Sequence, residues 1–517
     1  MNIVRIGVVI FLAVLLILCM FVSLGWRMCL DTPILHYIIY LMDQYDFIPY
    51  QDIYDNNVPG TYLFHMIMIR LIGYGNFAFR CFDMMSLLLL FLISWLLMKR
   101  FGHVPALLGL ILFGLRYLNQ GPNMSMQRDF ICILPIALAF LYVTLPYSRK
   151  HHCLSGILVG ALAAVSASLK PSFCIGAIPL ILFLHWENIG SEQLWKRHSW
   201  VKLLQLLVFT GIGFIPVLIV PIAWVYMKGG FPDFIMTMKS YIPLYTNMNG
   251  YLRTMDGTER TLYFLKQFFT LGIRNTYSLR LLIPAIIGIF MVFKLFPESN
   301  SKKKFVVLLA SLCFMYSLYP LSQGKFWTTH YLPMQYFLVL CASLTFVKPA
   351  GQRQWTYLKS IALIIMIGFI VTTVRPTRDF SRRMRGAAAT PPNWGRVDEI
   401  AHYLKSNMEP GDTVQPLDFI RGAVHAMLLA KAKIATPFIY DLQFYHHISN
   451  PYIQNIRKQF ITQMKEVKPR FVIRVTDKPW PSGRDTTRDF PALDEFLQNR
   501  YHTAHEGDGY KIFEINR

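Results

Sequence analysis

From near Ile6 to Val374 the sequence returns repeatedly to apolar runs of about the 20 residues that span a bilayer as a helix, and several of them carry no charge. A chain with that many runs has few folds open to it. In hydrocarbon each backbone polar group must be satisfied locally, which closes each run into a helix. Spans fit 6–24, 77–98, 104–117, 130–146, 154–168, 173–186, 203–227, 281–296, 305–320, 331–347 and 360–374, about eleven in all. The balance of 54% hydrophobic against 15% charged residues excludes an ordinary soluble protein of this length. The first run follows only Arg5 and resembles a signal peptide. No small-residue cleavage site comes after it, and Trp26-Arg27 reads as an interfacial anchor, so it counts as a span.

The formal charge of +22 does not point to nucleic acid, because the basic residues lie scattered between hydrophobic segments and form no stripe interleaved with aromatics. They alternate instead. Lys99-Arg100, Arg149-Lys150, Lys196-Arg197, Lys302-Lys303-Lys304 and Lys348, Arg353 and Lys359 fall in every second connection, the asymmetry of cytoplasmic loops. That makes the N-terminus cytoplasmic and turns 25–76, 119–127, Lys170, 228–280, 321–330 and everything after Val374 outward. All eight cysteines lie between Cys19 and Cys341 with no CxxC pair, and they read as packing residues.

From about Arg378 the composition turns polar, opening on a basic Gly/Ala/Pro stretch at 381–392 that reads as a linker. The pattern beyond it alternates helices (396–408, 421–430, 452–467, 492–501) with strands (413–417, 471–475, 510–515), an α/β arrangement. The expected organisation is a membrane module over 1–376 with a first outward loop at 25–76, a linker over 377–395 and a periplasmic α/β domain over 396–517. The tail holds no GxGxxG, no P-loop and no metal-ligand spacing.

The first outward loop gathers carboxylates: Asp31, Asp43, Asp46, Asp52 and Asp55. Asp43 and Asp46 read as solvated loop residues. Asp31 follows an apolar span by a few residues, where a carboxylate is costly unless it has a partner or a task. A base there can deprotonate a hydroxyl as it attacks a sugar anomeric carbon, while the departing phosphate needs cations and no proton donor. Glycoside hydrolysis, by contrast, needs a second carboxyl group to protonate the leaving oxygen. Asp52 and Asp55 offer oxygen ligands for a divalent cation such as Mg or Mn, or equally cap a turn. Arg128, Lys170 and Lys325 sit at outward span ends, where a guanidinium or ammonium meets phosphate and where long side chains also simply snorkel. The 228–280 loop reads as flexible and solvated.

An Asp just after the first span, the stretch Pro49-Tyr-Gln-Asp52-Ile-Tyr-Asp55-Asn-Asn-Val-Pro59-Gly-Thr-Tyr62, Gln127-Arg128-Asp129, Ser168-Leu-Lys170-Pro171 and Gly324-Lys325 with His330-Tyr331-Leu-Pro333 occur in order along the chain. Together they resemble the bacterial GT-C glycosyltransferases, in the branch of the dolichyl-phosphate-mannose protein mannosyltransferases and aminoarabinose lipid A transferases. The resemblance implies a multi-pass α-helical membrane fold with a first-loop helix along the membrane surface and a small C-terminal extracytoplasmic α/β domain. It implies inverting transfer of a sugar from a polyprenyl-phosphate donor to a hydroxyl of a glycan, lipid or protein, at the outer face of a bacterial inner membrane. On that footing Asp31 and Asp129 are the catalytic candidates, and Arg128, Lys170, Lys325 and His330 hold the donor phosphate. Tyr62 and Tyr331 contact sugar or acceptor, Tyr331 equally serving in an aromatic belt. A transporter of lipid-linked sugars and an O-antigen-ligase-like enzyme share the span count, but the charges here sit at span ends and no inverted pair of broken segments appears.

Overall fold

The computed structural model describes residues 2–189, 196–274, 276–347, 364, 368 and 392–516. In chain order its helices begin with α1 (Asn2–Ser23), α2 (Asp31–Tyr45), α3 (Pro59–Ile72), α4 (Asn76–Met98), α5 (His103–Asn119), α6 (Arg128–Ile131) and α7 (Ile133–Val143). Next come α8 (Pro146–Lys150), α9 (His152–Leu169), α10 (Ala177–Ile189), α11 (Arg197–Lys228), α12 (Phe231–Met236), α13 (Ile242–Thr246) and α14 (Gly257–Arg274). Then follow α15 (Thr276–Leu295), α16 (Asn300–Gln323) and α17 (Leu332–Ser343), and the tail adds α18 (Pro392–Asn407), α19 (Ala423–Ala430), α20 (Pro451–Val467) and α21 (Pro491–Arg500). The strands are β1 (Arg253–Thr254), β2 (Thr413–Leu417), β3 (Lys433–Ile434), β4 (Phe471–Val475), β5 (Ser482–Gly483), β6 (Tyr501–Gly507) and β7 (Tyr510–Ile515). The chain forms two compact units, each drawn from three separate segments.

The first unit comprises Met1–Arg27, Ile72–Pro221 and Phe264–Ala387. Each predicted apolar run within the described residues falls on helix here, and the run at 360–374 lies outside them apart from Ile364 and Gly368. Helical segments Asn76–Phe101, His152–Leu169, Pro171–Ile189, His198–Lys228 and Asn300–Gln323 are long and apolar enough to cross a membrane. Phe11 and Phe21 on α1, Leu88 and Leu92 on α4, and Ile212 and Ile219 on α11 are exposed, as faces that meet acyl chains must be. Every residue of α17 is buried, and it packs against α5, α15 and α16. Glycines set one close approach: a Cβ on Gly160 of α9 would stand 2.0 Å from the Thr210 carbonyl oxygen of α11, and one on Gly213 would stand 1.9 Å from that of Ile157.

The alternation of loops reappears as two polar clusters in this unit. Glu187 takes Arg149 at 2.7 Å and Lys304 at 2.8 Å, three residues from three connections predicted to share one membrane face. Asp129, Lys170 and Tyr319, from connections or span ends predicted to share the other face, also meet one another.

The second unit comprises Met28–Leu71, Ile222–Tyr263 and Ala388–Arg517. Its five-stranded sheet runs β3-β2-β4-β7-β6, with β3, β2 and β4 parallel and β7 and β6 antiparallel. Predicted strands 413–417, 471–475 and 510–515 coincide with β2, β4 and β7, while the two edge strands had no sequence signal strong enough to mark them. Tyr54 of the first loop and Tyr241 enter the same core as Leu417, Phe438, Phe444, Phe460 and Val472. The segment expected to be a flexible loop at 228–280 is helical over α12 and α13 and most of its remainder, and Tyr241 within it is fully buried. Its aromatics, read singly, resemble loop residues; placed against Tyr54 and His446 they become core.

Candidate active site

Three chain breaks assemble the polar site of the first unit. Helix α6 starts at Arg128, so Asp129 lies in its first turn, where a carboxylate meets the positive helix end. Helix α9 stops at Leu169 because Pro171 disfavours a helical conformation at Lys170, which is extended (φ −154°, ψ 98°). Helix α16 ends on Gly324 in the left-handed region (φ 65°), and a 3-10 turn over Thr328–Tyr331 then brings His330 inward.

The Lys170 ammonium donates to both Asp129 oxygens at 2.8 and 2.9 Å, and the Tyr319 hydroxyl donates to Asp129 Oδ1 at 2.7 Å. Asp129, Lys325, His330 and Tyr331 are buried and Arg128 is half-buried. Burial by itself raises the Asp129 carboxyl, but the Lys170 charge, His330 and the hydrogen bonds from Lys170 and Tyr319 outweigh it and hold the group at about 2. The His330 ring is pushed down to about 3 by burial and then by the Lys170 charge, with Arg128 and Lys325 adding to it, so it is neutral at ordinary pH. Burial likewise lowers Lys170, whose charge Asp129 supports and Arg128 opposes. The Nδ1 atom of His330 is buried and makes no hydrogen bond. The structure therefore brings Arg128, Asp129, Lys170, Lys325 and His330 into one electrostatic neighbourhood. Lys170, 41 residues away in sequence, is the ion-pair partner that the fold brings to Asp129.

A second buried network, which sequence reading missed, supports the turn before Arg128. Arg80 on α4 donates to Asp83 and Ser125, and its Nε donates to the Ser23 carbonyl at 2.9 Å. Its guanidinium lies 5.0 Å from the Trp26 ring. The Tyr117 hydroxyl donates to Asp83 and accepts from the Met126 amide at 3.0 Å, and Met126 has a left-handed backbone (φ 53°). The signal was there in sequence: Arg80 and Asp83, one helical turn apart, interrupt an apolar run, and charges inside a span are expensive unless paired.

An apolar groove of about 430 Å³ adjoins this neighbourhood in the chain. Phe268, Leu282, Ile286, Phe314 and Met334 line it together with Phe326 and Tyr331, the neighbours of Lys325 and His330.

The first-loop candidates belong to the second unit. Asp31 opens α2, in its first turn, and is half-buried. Sequence reading had no helix over 31–45. Asp55 is buried with all its acceptor positions engaged: Oδ1 takes the Asn56 amide at 2.8 Å and the Tyr440 hydroxyl at 2.6 Å. Its Oδ2 takes Asn57 Nδ2 at 2.7 Å and the Tyr62 hydroxyl at 2.6 Å. Asp52 closes a turn by accepting from the Ile48 amide at 2.8 Å. Asp55 thus has no oxygen to spare for a divalent cation, and among the described residues no three His, Cys, Asp or Glu side chains form a metal-ligand group. Tyr62, a sugar-contact candidate, spends its hydroxyl on Asp55. Asp43 pairs with Arg70 at 3.7 Å. A helix does follow the Pro59-Gly60 bend: α3 begins on Pro59 itself, proline being suited to a first helical position.

Residues 56–219 match the sequence profile of the dolichyl-phosphate-mannose-protein mannosyltransferase family. No curated protein sequence matches the chain. Among solved structures, ArnT from Cupriavidus metallidurans bound to undecaprenyl phosphate superposes with a TM-score of 0.55 at 12% identity, covering 98% of each chain. Its apo form gives 0.55 at 13% identity over 98% of this chain and 97% of that one. The Archaeoglobus fulgidus oligosaccharyltransferase tethered to an acceptor peptide gives 0.48 at 11%, covering 98% of this chain and 74% of its own. The chain thus shares the fold of ArnT along nearly its whole length, and over residues 56–219 its sequence is similar to the dolichyl-phosphate-mannose-protein mannosyltransferase family.

Proposed function

We propose that this protein is an inverting glycosyltransferase that takes a sugar from a polyprenyl-phosphate donor and delivers it to a hydroxyl acceptor at the extracytoplasmic face of a bacterial inner membrane. The observation that carries the reading is the pairing, within one unit, of a cluster of cationic side chains with an apolar groove whose lining residues Phe326 and Tyr331 neighbour Lys325 and His330 in sequence. A polyprenyl phosphate has that same division, an anionic head on a long apolar tail. The ArnT structure holding undecaprenyl phosphate has the same fold.

In this reading Arg128, Lys170 and Lys325 hold the donor phosphate, and neutral His330 offers its unpartnered Nδ1 position to a phosphate oxygen. Asp129 orients Lys170: its low pKa makes it a weak base, and both its oxygens are already occupied. The acceptor oxygen attacks the anomeric carbon, the bond from that carbon to the phosphate oxygen breaks, and the phosphate leaves with its electron pair to the cations. The acceptor proton passes to a carboxylate, a role the family resemblance assigns to Asp31. No step draws on a divalent cation at Asp52 and Asp55. The acceptor is a glycan, lipid or protein hydroxyl.

The test is transfer from a radiolabelled polyprenyl-phosphate sugar by the reconstituted protein. Asp31→Asn is expected to insert and fold while abolishing transfer; undiminished transfer removes Asp31 from the mechanism. Counterflow of labelled lipid-linked sugar with no new glycosidic bond overturns the transferase reading in favour of a transporter.

A further inference from the structure

On the sheet domain of the second unit, a cavity of about 350 Å³ opens between the C-terminal turns of α20 and α21 and the end of β7. Lys465, Lys468 and Arg500 border it, Phe496 and Ile515 provide apolar lining, and Asn499 stands at its edge. The three cations are exposed, and among the described residues none makes an ion pair, although Glu495 also borders the cavity. Several other cations of the same domain are matched: Arg470 contacts Asp412 at 2.7 Å and Glu409 at 3.0 Å, Arg474 contacts Asp494 at 2.7 Å, and Lys511 contacts Glu506 at 3.0 Å.

Helix ends explain part of this placement. Lys465 and Arg500 lie in last turns, where cations complement the helix dipole. That explanation does not require a cavity, and it does not account for a lysine at position 468, which caps α20 in the left-handed region (φ 49°), where glycine or asparagine is the cheaper choice. Three positive charges against one carboxylate leave an excess of positive charge facing a space of ligand size. An aromatic and an aliphatic side chain in the lining suit the faces of a sugar ring, and Asn499 suits its hydroxyls.

We infer that this cavity binds a phosphorylated saccharide, the anionic part of the acceptor. The inference rests on the transferase reading for the word acceptor, and on the cavity alone for the ligand class. A lipid surface would engage the same cations, but it would leave the enclosed lining unused.

The full-length protein in neutral phosphatidylcholine nanodiscs, titrated calorimetrically with glucose 6-phosphate, inorganic phosphate and glucose, tests this without donor or turnover. Glucose 6-phosphate should bind about tenfold more tightly than inorganic phosphate, and glucose should bind least. Lys468→Gln with Arg500→Gln should weaken glucose 6-phosphate about tenfold while leaving the unfolding temperature unchanged, because both residues are exposed. Lys325→Gln, in the donor pocket, should leave that binding intact. Equal binding by the double variant, or no preference over inorganic phosphate, overturns the inference. So does adhesion to phosphatidylglycerol vesicles that the double variant abolishes while glucose 6-phosphate fails to bind. A protein that binds here yet transfers no sugar counts against the transferase reading and leaves the binding site standing.

Discussion

Lys170 spans both carboxylate oxygens of Asp129, at 2.8 and 2.9 Å, across 41 residues of chain. The pair joins the head of α6 to the end of α9. Asp129→Asn removes one partner and strands the other, a change that costs roughly 3–5 kcal/mol when a buried ion pair is broken. The expected outcome is a lower unfolding temperature in detergent and a raised KM for the lipid-linked donor, with Asp129→Glu recovering part of both. An unchanged donor KM would separate Asp129 from donor binding.

Acid should destabilise the protein in two stages. The Asp129 carboxyl is depressed below its ordinary 3.8, so its contribution is complete above about pH 4 and disappears as pH falls toward 2. His330 behaves oppositely as a base: the unfolded chain takes up a proton near 6.5 that the folded site refuses until about 3, so stability starts to fall below about pH 6.5. His36, lowered by burial and by His65 and His425, adds to the same slope. Unfolding temperature measured from pH 8 to 4 should be flat above 7 and decline below 6.5. His330→Gln should reduce the decline.

Arg80 and Asp83 separate stability from positioning. Either Arg80→Met or Asp83→Leu alone should lower stability by several kcal/mol, whereas the two together should restore most of it, since apolar side chains replace a buried pair at little net cost. Donor KM should stay elevated in the double variant, because Ser125 loses Arg80, and Tyr117, which holds the Met126 amide, loses the Asp83 carboxylate that anchors it. Restoration of donor KM along with stability would make the network purely structural.

Tyr440→Phe takes one of four donors from the buried Asp55 carboxylate. A loss of about 1–3 kcal/mol is expected for leaving that acceptor short, read as earlier unfolding and faster protease cleavage in the 46–58 segment. Tyr62→Phe should match it, because Tyr62 supplies an equivalent bond at the same 2.6 Å.

Gly160→Leu on α9 should be strongly disruptive, forcing a side chain into the Thr210 carbonyl of α11. A penalty of at least about 1–3 kcal/mol follows from overpacking. Gly211→Leu on α11 meets nothing within 4 Å and should be tolerated, with expression in the folded state as the readout.

Much of this protein could be read along the line of the chain. Apolar runs located the helices because lipid forces each span to satisfy its own backbone, and loop charge sorted connections onto two faces, as the meetings at Glu187 and Asp129 bear out for which loops lie together. Strands β2, β4 and β7 were marked by β-branched and aromatic patterning. Residue type and position at span ends also singled out Arg128, Lys170, Lys325 and His330 as candidates, which the fold brings into one electrostatic neighbourhood. Partnership was another matter. Lys170 pairs with Asp129, Asp55 is consumed by Tyr62 and Tyr440, and Tyr241 enters a core, because each outcome depends on groups tens or hundreds of residues away. Whether a carboxylate is a spare ligand, a cap or half of an ion pair is decided by which donors the folded chain places within about 3 Å of it, and no local pattern encodes that distance.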